Sequence, residues 1–96
     1  MAYVVAATWR AREGEEERIR EILERIAPLC RDEPACQLYQ AHRSPEDPRV
    51  FFIYEQYDDE AGFQAHTESE HFETHVRGDA VPRLESRERA IYVTLD

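Results

Sequence analysis

Val50–Tyr57 reads VFFIYEQY, eight residues dominated by aromatic and β-branched side chains, and its reading decides the fold. Such a run, short and flanked by proline and aspartate clusters, is a β-strand. Side chains alternate between the two faces of a strand. One face therefore carries Phe51, Ile53, Glu55 and Tyr57, and the other Val50, Phe52, Tyr54 and Gln56. Both are substantially apolar, whereas a sheet with one wet face alternates apolar with polar residues. Residues 3–9 (YVVAATW) repeat the pattern, with Tyr3, Val5, Ala7 and Trp9 on one side and Val4, Ala6 and Thr8 on the other. Helices can cover only one side of such a sheet. Leaving Phe52, Tyr54 and their neighbours wet would forfeit several kcal/mol at about 25 cal/mol per Å². A second copy packed sheet to sheet is the economical cover, so a homodimer is expected.

Upstream of this strand lies residues 44–48 (SPEDP), a connection whose two prolines stop either neighbouring strand from running through it. Cys36–Arg43 (CQLYQAHR) is the preceding strand. Residues 15–30 place Ile19, Ile22, Leu23, Ile26 and Cys30 at helical spacing, after a loop ended by Gly14. Acidic Glu15, Glu16 and Glu17 suit the first turn, Glu16–Arg20 and Glu21–Arg25 are expected pairs on the wet face, and Pro28 should kink or close the last turn. Downstream, Asp58 or Asp59 caps a short helix running to about His66. Residues 67–70 (TESE) have capping-box spacing and open another, with Phe72 and Val76 inward and Gly78 and Pro82 ending it. Residues 87–95 form the last strand. The order β-α-β-β-α-α-β is an α+β, ferredoxin-like arrangement: one four-stranded antiparallel sheet with helices on one face, in a single domain over residues 1–96.

A net charge of −9 with no basic block excludes nucleic acid and anionic membrane as partners. No apolar run approaches the roughly 20 residues that span a bilayer. The first nine residues lack a basic signal-peptide region. A cytoplasmic protein with free thiols at Cys30 and Cys36 is the expectation.

Three of the four histidines fall close together, at His66, His71 and His75. The spacing of His71 and His75 could hold a metal, but no nearby cysteine or carboxylate completes a set, and none is expected. His66 and His71 are candidate general bases, suited to neutral pH, with His75 a solvated helix residue. Trp9, Tyr57 and Phe63 could line a cavity beneath the helices. Glu55, among apolar neighbours, needs a basic partner or must be neutral if buried. Arg43, Arg49 and Arg83 are the plausible anion handles. No nucleophile elbow, phosphate loop, dinucleotide fingerprint or CxxC is present.

From Val50 onward, VFFIYEQYDDEAGFQAHTESEHFETH resembles the antibiotic biosynthesis monooxygenase family of dimeric α/β barrels. The shared features are the aromatic strand ending in Tyr-Glu-x-Tyr, the acidic helix start, and His-x4-His-Phe at His66, His71 and Phe72. The upstream EPACQLYQAHRSPEDP looks like the family's second strand and turn. Two departures stand out. Ile53 and Tyr57 occupy the positions of an Asn and a Trp in polyketide-oxidising members. Ala7, His66 and a register near His75 meet the Asn, Trp and His of haem-degrading ones. The likeness is greatest to small quinol monooxygenases and signal isomerases. It implies a cofactor-free monooxygenase that uses dioxygen on a small aromatic or quinone-like substrate. His66 and His71 would be catalytic in a pocket of Trp9, Ile53, Glu55, Tyr57, Phe63 and Phe72. The alternatives are an isomerase of a small phosphorylated dicarbonyl signal and a non-catalytic ligand-binding dimer.

Overall fold

A computed structural model describes all 96 residues. Strands β1 (Tyr3–Ala11), β2 (Cys36–Arg43), β3 (Val50–Tyr57) and β4 (Leu84–Val93) form one antiparallel sheet in the order β2-β3-β1-β4. Helices α1 (Glu16–Arg31), α2 (Glu60–Thr67) and α3 (Phe72–Ala80), with a 3-10 turn at Val81–Arg83, accompany it. This is the expected α+β, ferredoxin-like arrangement.

The helical stripe read from the sequence is buried: Ile19, Ile22, Leu23, Ile26 and Cys30 of α1 pack with Ala7, Ala11, Tyr39, Phe51 and Ile53 of the sheet. The parity of β3 also holds. Phe51, Ile53, Glu55 and Tyr57 are buried, while Phe52 on the opposite face is exposed. Gly14, at φ 89°, adopts the left-handed conformation that its turn requires.

Several local expectations change. Strand β1 runs on to Ala11, because Arg10 still pairs with Val50 and Ser86. Strand β4 begins at Leu84, opposite Ala11, across a register shift, and ends at Val93. Pro28 lies inside α1, which continues to Arg31. Arg20 pairs with Glu17 and Glu24, and Arg18 with Glu21, instead of the expected Glu16–Arg20 and Glu21–Arg25. The Glu16 carboxylate is turned back to accept from the Gly14 amide at 2.9 Å.

The segment carrying the histidines differs most. Asp59 caps α2, its carboxylate accepting from the Gly62 amide. Ser69, not Thr67, then satisfies the next helix start: its hydroxyl accepts from the Phe72 amide and donates to the His66 carbonyl. Thr67 instead donates back to the Gln64 carbonyl. Helix α3 is a π-helix, a form that concentrates at functional sites. Gly78 lies inside it and does not end it, and Pro82 sits in the following 3-10 turn. A Cβ at Gly78 would stand 3.2 Å from the Glu73 carbonyl, so glycine eases the wide coil.

Gly62 sets how closely α2, and hence His66, approaches the sheet. A Cβ there would lie 2.7 Å from the Ala35 Cβ and 3.4 Å from that of Tyr57. Gly62→Ala is therefore expected to destabilise the domain by about 1–3 kcal/mol through overpacking, despite alanine's better helix propensity. Thermal unfolding would read this as a fall in Tm of several degrees; an unchanged or higher Tm would show that α2 is free to move outward.

Candidate functional site

A cavity of about 440 Å³ opens between the sheet and helices α2 and α3. Its apolar wall is Val5, Ala7 and Trp9 of β1, Phe63 of α2, and Phe72 and Val76 of α3. Alternation along β1 sends its three residues to the helix side, and the π-helix presents Phe72 and Val76 to the same space. The polar lining comprises Glu55, His66 and Thr67, with Arg77, Arg87, Glu88 and Arg89.

His66 is the centre of the polar group. It is only 3% exposed, and its ring is surrounded by those of Tyr39, Tyr57, Phe63, His71 and Phe72. Its Nδ1 meets Glu33 Oε2 at 2.8 Å and Oε1 at 3.2 Å. A carboxylate in that position accepts from Nδ1–H and holds the ring with Nε2 turned toward Glu55. Nε2 stands 3.4 Å from Glu55 Oε1. His71 Nε2 meets the same Glu33 Oε2. Glu33 thus holds both imidazoles, joining the end of α1 to α2 and to the start of α3.

Glu55 is buried, and the Tyr57 hydroxyl donates to its Oε1 at 2.7 Å. Burial pushes the Glu55 carboxyl above its ordinary value, though the His66 charge and the Tyr57 hydroxyl work against that shift. Burial also raises Glu33, but hydrogen bonding and charge from His66, then His71, outweigh it and leave this carboxyl below its ordinary value. Two carboxyl groups on opposite nitrogens of one imidazole are thus pushed in opposite directions, which poises the cluster for acid–base work. Burial raises the Tyr57 hydroxyl strongly, helped by Glu55, so the phenol stays protonated as a donor.

Of the residues singled out from the sequence, Trp9, Glu55, Phe63, His66 and Phe72 line the cavity. Ile53, Tyr57 and His71 do not. Ile53 packs in the main core against α1, and Tyr57 lies fully buried with Val5 and Phe63. His71 stands behind His66 on Glu33, so its place is that of a second support to the carboxylate. His75 makes no side-chain ion pair. The expected anion handles are engaged elsewhere: Arg43 with Glu17, Arg49 with Glu85, and Arg83 with Asp79 and Glu15.

Glu33, Arg77, Arg87 and Arg89 escaped the sequence reading. Glu33 sits in the turn after α1, where a carboxylate is ordinarily solvated; the signal that could have found it is that a buried His66 needs an acceptor. Together with Cys30, it also forms the one set suited to a metal. The ligand atoms of Cys30, Glu33, His66 and His71 lie within 4.8 Å of one another. As arranged, Glu33 is committed to the two imidazoles, and burial, reinforced by Glu33 and Glu55, raises the Cys30 thiol well above its ordinary range. A protonated thiol is a poor ligand, so binding would have to expel its proton.

The pattern of the antibiotic biosynthesis monooxygenase family matches residues 2–78, which include β1, Glu33, Glu55, His66 and His71. The chain belongs to that family. Among solved structures, it superposes on the PA3566 protein of Pseudomonas aeruginosa with a TM-score of 0.90 at 26% identity, covering 99% of this chain and 95% of that one. A Nitrosomonas europaea protein assigned to the same monooxygenase family gives 0.92 at 25% identity, over 98% and 90% of the two chains. The SO0527 protein of Shewanella oneidensis gives 0.87 at 26% identity, over 95% and 88%. No curated protein matches the chain. No helix of this family member is long and apolar enough to cross a membrane.

Proposed function

We propose that the protein is a cofactor-independent monooxygenase that oxidises a small aromatic or quinol substrate with dioxygen. The observation that carries this reading is His66. Its Nδ1 is held by Glu33, and the residue lines a cavity with one wall of apolar side chains, beside a buried carboxyl of raised pKa. A phenolic substrate lying on Phe63, Phe72 and Trp9 would give its hydroxyl proton to His66 Nε2. The electron-rich phenolate then forms a C–O bond to dioxygen at a ring carbon. Loss of that carbon's hydrogen as a proton, with cleavage of the O–O bond, leaves a quinone carbonyl and releases the second oxygen as water. Phenol and dioxygen thus become quinone and water, the substrate supplying every electron, and the apolar walls keep water from the intermediates.

The unit that does this is inferred to be a homodimer. The sheet face away from the helices exposes Leu38, Phe52 and Tyr92, next to Val4, Ala6 and Tyr54 on the same side. A patch of this kind marks an interface. Equilibrium sedimentation at micromolar concentration should give twice the chain mass, and a monomer would leave this face without a cover.

The experiment on the reaction is incubation with a panel of naphthoquinols and hydroxylated aromatics under labelled dioxygen, without flavin or metal, read by mass. One labelled oxygen in the product and one in water is the expected result. No oxygen uptake across the panel would sink the oxygenase reading and leave the isomerase and binding alternatives.

A further inference from the structure

Arg77, Arg87 and Arg89 line the cavity together, in a chain whose net charge is −9. Half of the twelve arginines, Arg10, Arg18, Arg20, Arg43, Arg49 and Arg83, are held in ion pairs outside the cavity. Arg87 and Arg89 are not: no carboxylate lies within 4 Å of either, and neither donates a hydrogen bond within the protein. Both stand on β4, opposite Trp9 and Ala7 of β1, and so face the same side as the cavity wall. The Arg89 guanidinium sits 5.1 Å from the centre of the Phe63 ring, and that of Arg77 the same distance from the Phe72 ring. Arg77 also pairs with Glu73 at 3.3 Å, on the surface, and donates to the Thr67 carbonyl.

Neither acid of the lining forms an ion pair with Arg87 or Arg89, although the Arg89 charge is felt at Glu55. Glu55 is turned to Tyr57 and His66 at the inner end. Glu88 pairs in register with Thr8, which belongs to the opposite face of the sheet. The cavity is therefore divided: an acid–base cluster at one end, two unpaired guanidinium groups on the β4 side, and aromatic rings between. We infer that the substrate is an aromatic anion, a hydroxylated ring system whose acid group is gripped by Arg87 and Arg89 while its hydroxyl meets His66. A guanidinium fork matches an oxyanion in two-point geometry, and the Phe63 ring beneath Arg89 helps to orient it. A cavity of about 440 Å³ suits one or two fused rings.

This inference rests on the cavity being the substrate site, but not on the oxygenation chemistry, and binding measured without oxygen separates the two. Anaerobic calorimetry would compare 1-naphthol, 1-hydroxy-2-naphthoate and 1-naphthyl phosphate against the intact protein and against the Arg87→Gln/Arg89→Gln double variant. Both side chains are exposed on an edge strand, so the variant is expected to keep its fold and Tm, and Arg87→Lys/Arg89→Lys provides a charge-retaining control. The expected result is an anion bound at least tenfold more tightly than 1-naphthol. That preference should vanish in the glutamine variant, shrink in the lysine variant and weaken with salt, while 1-naphthol binding stays unchanged. Preference for carboxylate or for phosphate identifies the acid group; either supports the grip. Equal affinity for 1-naphthol and both anions, absence of binding by all three, or a preference that survives both glutamines overturns it. Anion preference without oxygen uptake would instead remove only the oxygenase reading.

Discussion

His66→Ala is expected to lower kcat/KM by about 10²- to 10⁴-fold, the range that general-base catalysis contributes. The effect should fall on kcat more than on KM, because Phe63, Phe72 and Trp9 would still hold the ring of the substrate. The substitution also removes the partner of Glu33 and leaves Glu55 without its nearby base, so a lower Tm will accompany the loss. Two measurements separate chemistry from damage. Added imidazole should restore part of the rate, since the space vacated by the side chain adjoins the cavity and can admit the free base. His71→Ala, which also removes a Glu33 contact but lies outside the cavity lining, should cost much less activity. Full turnover by the His66→Ala protein would move the proton transfer to Glu55 and overturn the assignment.

That His66 and His71 belong to different tasks could not be read from their spacing. Both look alike in His-x4-His-Phe, and the helix break between them leaves their relative direction open. What separates them is Ser69, which starts the next helix two residues later than the Thr67 box suggests, and the π-helical coil that follows. The fold itself was legible because it depends on periodicities of the chain: two-fold alternation in β3, and the Ile19–Ile22–Leu23–Ile26 stripe in α1. On the strands the cavity was legible from parity, which assigns Trp9 and Glu55 to the helix side, and on the helices Phe63, His66 and Phe72 were singled out as well. Parity also assigned Ile53 and Tyr57 there, but a face is not a cavity, and α1 and Phe63 respectively cover these two. Glu33 and the β4 arginines were invisible for a different reason. Charged residues in turns and on edge strands are ordinarily solvated, and only the tertiary meeting of α1, α2 and β4 gives these ones a role.

The opposed carboxyls make stability and activity depend on pH in a way that can be dissected. Glu33 has a folded pKa below its ordinary 4.5, so its contribution to stability is present above that value and is lost as pH falls through the folded pKa. Glu55 has a folded pKa above 4.5, so its contribution is present below that value and is lost as pH rises through the folded pKa. Each arm should respond to its own substitution. Glu55→Gln keeps an oxygen that can accept from the Tyr57 hydroxyl but cannot ionise; its Tm should therefore stop falling as pH rises from 4.5 through the folded Glu55 pKa, at the expense of the group beside His66 Nε2. Glu33→Gln should flatten the acid side. It should also lower kcat by about 10- to 100-fold at neutral pH, because an amide holds Nδ1–H less firmly and no longer stabilises the imidazolium formed when His66 takes the proton. Rescue provides the check on a merely structural role: Glu33→Asp, which keeps a carboxylate, should recover part of the rate that Glu33→Gln loses. Equal losses of kcat in Glu33→Asp and Glu33→Gln would show that Glu33 ties the helices together without supporting the base.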